Sequence, residues 1–126
     1  MDKAFKELIA AIELNRKMCP WQKKMTLENQ TKEFLLESKE VEEAVKKKDY
    51  KNLKEELGDV LWDVLTIAHI AEDKGHFKAK EIFESINKKI KRRKHYMFEG
   101  KTVDIPTAIR IWDEVKEKEK KGEYDE

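Results

Sequence analysis

The chain predicts an all-α fold, an antiparallel helical bundle, and three observations carry that expectation. Apolar residues recur at intervals of three and four along most of the 126 residues, and no stretch shows the strict alternation of a half-buried strand. No Gly-rich loop, internal repeat or low-complexity linker interrupts them. Charged residues make up 44% of the chain, with both signs interspersed among the periodic positions, and they cancel to a net charge of +1.

The elements follow in order. Phe5, Leu8, Ile9 and Ile12 keep helical spacing in a first helix that should stop near Met18, because Pro20 disfavours helix at the residue before it. Thr26 reads as the N-cap of a second helix over Leu27 to Lys47. A short turn over 48–51 follows, and Asn52 with Glu55 offers a cap for a third helix that ends near Gly75. So short a connection makes these two long helices antiparallel neighbours. A fourth helix runs from Lys78 to Lys94 with Ile82, Ile86 and Ile90 inward. After a less regular stretch from His95 to Val103, Asp104 and Pro106 start a last helix with Ala108, Ile111, Trp112 and Val115 inward.

Residues 1–126 form a single domain with a modest core, short enough that a homodimer or higher homo-oligomer would add burial that a monomer lacks. The near-zero net charge supplies no field to recruit nucleic acid, so no sequence-specific nucleic-acid binding is expected. Cys19 is the one cysteine, which rules out an internal disulfide, and its setting in Cys19-Pro20-Trp21 suits packing. With neither a signal-peptide core nor a membrane-length apolar run, the expected compartment is the cytoplasm, with no membrane partner.

Two acidic pairs stand out by position. On a helical wheel with Phe34 at zero, Glu37 and Glu40 fall at roughly 300° and 240°, on the border of the apolar face of Ser38, Val41 and Val45. With Leu53 at zero, Glu56 and Asp59 fall at about the same angles beside Leu57, Val60, Val64 and Ala71. Spacing alone proves nothing: 27 acidic residues should yield roughly six such pairs by chance, and six occur. The shared placement leaves two readings, solvated charge or four carboxylates converging between neighbouring helices. Convergence would require cations or proton uptake. Asp63 lies on the same stripe near 280° and fits either an extra carboxylate or an ordinary polar position.

Lys89 and Arg93 lie within about 20° of Ile82, on an apolar face, where they either snorkel to solvent or bind an anion such as phosphate. Trp112 with Lys116 one turn later either packs in the core or stacks a base and holds a phosphate. Trp62 points about 180° from its helix's apolar centre and would suit a helix–helix interface. An all-oxygen ligand set suits Mg²⁺, with Mn²⁺ as a substitute, rather than zinc, and the absence of a Glu-x-x-His motif argues against a di-iron bundle. Magnesium with inward cations points to phosphate chemistry.

FLLESKEVEEAV followed by KEELGDVLWDVL, with CPW upstream and KGHF, INKKIKRRKHYMF and IWDEVK downstream, resembles MazG-type nucleoside triphosphate pyrophosphohydrolases over nearly the whole chain. The resemblance implies an all-α enzyme, at least dimeric, that hydrolyses nucleoside triphosphates to monophosphate and pyrophosphate with Mg²⁺. By that resemblance Glu37, Glu40, Glu56 and Asp59 are metal ligands, with Glu37 or Glu40 preferred as the base. It makes Lys89 and Arg93 phosphate contacts, and Trp112 and Lys116 nucleotide contacts. The chain departs from the pattern at Leu36, where many relatives carry another acid, and at Gln22, where the usual residue is Asp. Related enzymes acting on dUTP or phosphoribosyl-ATP, and a helical interaction module without catalysis, are the alternatives.

Overall fold

The computed structural model describes residues 1–124, and every element among them is helical: α1 (Asp2–Met18), α2 (Pro20–Lys23), α3 (Leu27–Lys47), α4 (Tyr50–Asp73), α5 (Ala79–Arg93), α6 (His95–Phe98) and α7 (Ile105–Lys120). The chain divides into two compact units, Met1–Ala79 and Lys80–Glu126.

In the first unit the backbone leaves α1 at Cys19, whose extended φ/ψ of −86°/115° meets the constraint set by the following proline. Pro20 then opens α2, so the Cys-Pro-Trp break is one extended residue between helices rather than a loop. Thr26 caps α3 as expected, its hydroxyl oxygen accepting from the Asn29 N–H at 3.1 Å.

The α3–α4 connection is tighter than the sequence suggests. Lys48 takes a left-handed conformation (φ 57°), the Lys48 N–H donates to the Val45 carbonyl and the Asp49 N–H to that of Ala44, a Schellman closure with lysine in the glycine position. Asp49 therefore arrives early enough to cap α4, and its carboxylate accepts from the Asn52 N–H at 3.2 Å. Asn52 is the capped residue, not the cap. The two helices pack along their lengths as antiparallel neighbours, and α1 packs on α4.

Core placement differs from the wheel. Ile12, Thr66 and Ile70 are fully enclosed, with Ala44, Leu65, Ala68 and Ala71 around them, whereas Leu57, Val64 and Val45 are exposed. The reason is that α4 is packed by both α1 and α3, so its buried sector is broader than a single stripe and turned from the leucine ridge. Leu35 and Leu36 on α3 and Leu57, Leu61 and Val64 on α4 remain open to solvent.

In the second unit, Asp104 caps α7, accepting from the Thr107 N–H at 2.9 Å. The stretch expected to be irregular contains the short helix α6, set off by the non-helical Lys94 (φ −131°, ψ 43°). Tyr96 and Val115 are buried, while Ile82 and Ile86, expected inward, are exposed.

Candidate functional site

The acidic residues are brought together by the antiparallel register. Gln30 near the start of α3 reaches Asp63 in the second half of α4, so residues between them on α3 oppose residues nearer the start of α4. One carboxylate oxygen from each of Glu37, Glu56 and Asp59 lies within 4.8 Å of the others. Glu40 joins them by a hydrogen bond to Glu56. All four acids singled out on the wheel therefore meet.

Their burial is unequal: Glu56 is buried, Glu37 half-buried, and Glu40 and Asp59 are exposed. Glu56 was expected on the border and lies inside it. The bond with Glu40, then burial, then the bond and charge of Glu37 raise its pKa from 4.5 to about 7, so near neutrality it holds a proton that an ordinary glutamate has lost. Its Oε2 is buried without a hydrogen-bond partner. A buried orphan oxygen within a ring of carboxylates is a polar group lacking its complement. An all-oxygen set at this separation suits a hard divalent cation, which would take the place of the proton.

Asp63 stands apart from that cluster. Its Oδ1 accepts from Gln30 Nε2 at 3.0 Å. Burial raises its pKa to about 6, against the Gln30 bond and helped by the charges of Glu37, Glu33 and Asp59. Gln22, the departure from the Cys-Pro-Trp-Asp pattern, is buried and tied to Gln30 and Arg16. Trp62 is half-buried and lines a cavity with Trp21 and Gln30, because the polar side of α4 is also packed.

The cations occupy the second unit. Lys89 and Lys116 line a cavity of about 340 Å³ with Arg92, Arg93, Glu119 and Tyr124, and among the described residues neither lysine has an ion-pair partner. Arg93 is held differently. Its Nη2 lies 2.6 Å from Glu119, which also takes Arg92 at 2.7 Å, and its guanidinium sits 4.7 Å from the centre of the Trp112 ring. Trp112 thus seats Arg93, and the second cation over it is Lys94 at 5.6 Å rather than Lys116. Glu119 escaped the sequence reading. Its i+3 relation to Lys116 carries no signal, and only the approach of α5 to α7 gives it two arginines.

An all-helical protein with paired acidic residues on two adjacent antiparallel helices, and basic residues on its later helices, defines a narrow class. The MazG nucleotide pyrophosphohydrolase domain matches residues 25–98, and the chain belongs to that family. It is 34% identical over 119 residues to the nucleoside triphosphate pyrophosphohydrolase/pyrophosphatase MazG of Thermotoga maritima, covering 92% of this chain and 45% of that protein. It is 30% identical over 103 residues to the nucleoside triphosphate pyrophosphohydrolase of Escherichia coli, covering 81% and 39%. Identity reaches 36% over 103 residues with YabN of Bacillus subtilis, covering 81% and 21%. The chain thus spans less than half the length of these relatives. Among solved structures, the mazG-related protein from Thermotoga maritima superposes with a TM-score of 0.83 at 33% identity, covering 89% of this chain and 98% of that one.

Proposed function

We propose that the chain hydrolyses nucleoside triphosphates to monophosphate and pyrophosphate, with a divalent cation at the α3–α4 acidic cluster. The convergence of Glu37, Glu56 and Asp59 around a buried, unpartnered oxygen carries this reading, and membership of the MazG family supports it. Glu37, Glu56 and Asp59 would hold Mg²⁺, or Mn²⁺ as a substitute, with Glu40 beside Glu56. When bound, such an ion withdraws charge from a phosphoryl oxygen and acidifies a water.

The chain's own residues then have distinct tasks. Glu40 is exposed and already exchanges a hydrogen bond with Glu56, which suits it to take a proton from water attacking the α-phosphorus; Glu37 is the other carboxylate able to do so. Lys89 and Lys116, cations without an ion-pair partner among the described residues, are suited to phosphate oxygens. Arg93 is pre-oriented for the same task by Glu119 and Trp112. Clearing unwanted nucleotides from the cytoplasmic pool fits this reaction, since a monophosphate cannot be polymerised.

The deciding measurement is product analysis on a panel of triphosphates with Mg²⁺ or excess chelator. Monophosphate plus pyrophosphate in the metal arm alone is expected; orthophosphate release, or undiminished turnover in chelator, contradicts the proposal. Glu40→Ala and Asp59→Ala should abolish turnover in a folded chain. The exposed Leu35, Leu36, Leu57, Leu61 and Val64 support self-association as part of the same reading. Light scattering at micromolar concentration should give at least a dimer, and a stable monomer would remove that part.

A further inference from the structure

Between α1 and α4 of the first unit lies a cavity of about 290 Å³ that the proposed reaction does not use, lined by Glu13, Arg16 and Lys17 of α1 and by His69, Glu72 and Asp73 of α4. His69 follows Asp59 by ten residues, about 15 Å along the α4 axis, so this cavity is separate from the acidic cluster.

His69 is the fixed member of the wall. It is 7% exposed, and its Nδ1 lies 2.8 Å from the Leu65 carbonyl one turn back. A carbonyl only accepts, so Nδ1 carries the hydrogen, and in the neutral ring the lone pair is left on Nε2. Nε2 has no hydrogen-bond or ion-pair partner among the described residues, and unlike Asp63 Oδ2 and Thr66 Oγ1 it is not sealed from solvent. Metal-ligating histidines are held in this way, with one ring nitrogen donating to a backbone carbonyl and the other open.

The carboxylates of the same wall are oriented by similar bonds. Glu72 follows His69 by three residues and Asp73 by four, which puts both on its side of α4. Glu72 Oε1 accepts from the Ala79 N–H at 2.9 Å, and Asp73 Oδ2 from Arg16 Nε at 2.9 Å; each keeps a second oxygen without a hydrogen bond among the described residues. Glu13, on the α1 side, has neither a hydrogen bond nor an ion pair among them. Among the described residues only Glu37, Glu56 and Asp59 bring three ligand atoms within 4.8 Å as the side chains stand, so here an ion has to draw the carboxylates toward His69. Glu13, Glu72 and Asp73 are exposed and can turn, whereas the imidazole, which is buried, already offers its open nitrogen.

We infer that this cavity is a metal site distinct from the acidic cluster, for a divalent transition ion of the zinc class, with His69 Nε2, Glu72 and Glu13 as its ligands and Asp73, held by Arg16, beside them. Imidazole nitrogen with carboxylate oxygens suits Zn²⁺ or Co²⁺, whereas hard Mg²⁺ prefers the all-oxygen set between α3 and α4. Such an ion ties α1 to α4, a structural role that does not depend on the proposed reaction.

The test titrates Co²⁺ into the full chain with Mg²⁺ in large excess to fill the acidic cluster, follows the visible absorption of the cobalt, and then adds Zn²⁺. One equivalent of Co²⁺ should bind and be displaced by Zn²⁺, and Zn²⁺ should raise the melting temperature by mass action. His69→Gln should abolish this binding, and Glu13→Gln should weaken it by about 10-fold or more, the scale on which even outer partners of a metal act. No Co²⁺ binding in excess Mg²⁺ overturns the inference. So does binding that survives in His69→Gln, because it then belongs to the exposed His76 or His95, which lie outside the cavity. Should His69→Gln not fold, Glu13→Gln, at an exposed position, decides alone, and undiminished Co²⁺ binding in it overturns the site. Glu13→Gln should release pyrophosphate at the wild-type rate with Mg²⁺. Failure of the proposed reaction leaves the Co²⁺ readout intact, so the two readings fall separately.

Discussion

The two charged regions of this protein handle like charges in opposite ways. Where α5 meets α7, Arg92 and Arg93 share the carboxylate of Glu119, and each stacks on an aromatic ring, Tyr124 and Trp112 respectively. Where α3 meets α4, four carboxylates meet with no cationic side chain among the described residues in an ion pair with them, and the compensation is a proton retained on Glu56. The basic region is largely satisfied by its own fold; the acidic one is left in deficit. A deficit of that kind costs stability until a ligand supplies the missing charge, and that contrast is the ground on which we propose the acidic region as the reactive centre and the basic one as an anion-binding surface.

The comparison breaks most visibly at Glu56. Glu56→Gln should cut pyrophosphate release by about 1,000-fold or more, the scale of losing a ligand that stabilises transition-state charge, yet raise the melting temperature of the metal-free protein above about pH 7, where Glu56 itself is ionised and the amide removes one like charge. A variant that loses both activity and stability would show the cluster to be a structural element. The reverse is expected at Glu119. Glu119→Ala strands two largely buried guanidiniums and should cost about 2–4 kcal/mol in urea unfolding, since the arginines are 12–13% exposed and the glutamate 14%. A loss below about 1 kcal/mol would mean that the aromatic rings alone hold the arginines.

Acidity separates the regions next. Glu56 binds its proton more tightly folded than unfolded, so metal-free stability should be greatest below pH 4.5 on its account and decline as pH rises to about 7, with Asp63 adding to the decline between 3.8 and about 6. Glu119 acts with the other sign. Its hydrogen bond to Arg93, with Arg92 helping against burial, lowers its pKa, so its contribution is present above 4.5 and is lost as pH falls through the lowered value. Melting curves across this range should flatten above pH 5 when Mg²⁺ is saturating, and Mg²⁺ titrated in at pH 6 should release protons. A pH-independent melting temperature without metal would contradict the shared proton. The smallest effect is expected at the hinge between the acidic helices, where Lys48→Gly relieves a left-handed conformation and should add about 0.5–1 kcal/mol without changing activity.

The helices and the acidic quartet were legible because both depend on short-range geometry. Thr26 and Asp104 are caps by chemistry, Pro20 limits α1 wherever the chain goes next, and a two-residue connection leaves α3 and α4 little choice but to run antiparallel. With that register, Glu37 and Glu40 must oppose Glu56 and Asp59. What the wheel misjudged was the buried sector of α4, and with it Leu57 and Val64, since angle within one helix says nothing about how many neighbours a helix has.

The sequence by itself determined the five long helices, though not the short α2 and α6 nor the Asp49 cap of α4, and which carboxylates share a face, because propensity, capping and periodicity act within a few residues. Tertiary structure alone decided that Glu56 would be buried without a partner for Oε2, that Glu119 would gather two arginines, and that Gln22, Gln30 and Asp63 would line up behind Arg16. Those outcomes depend on the approach of residues 6 to 33 positions apart, and burial and hydrogen bonding acquire their energies only at such contacts.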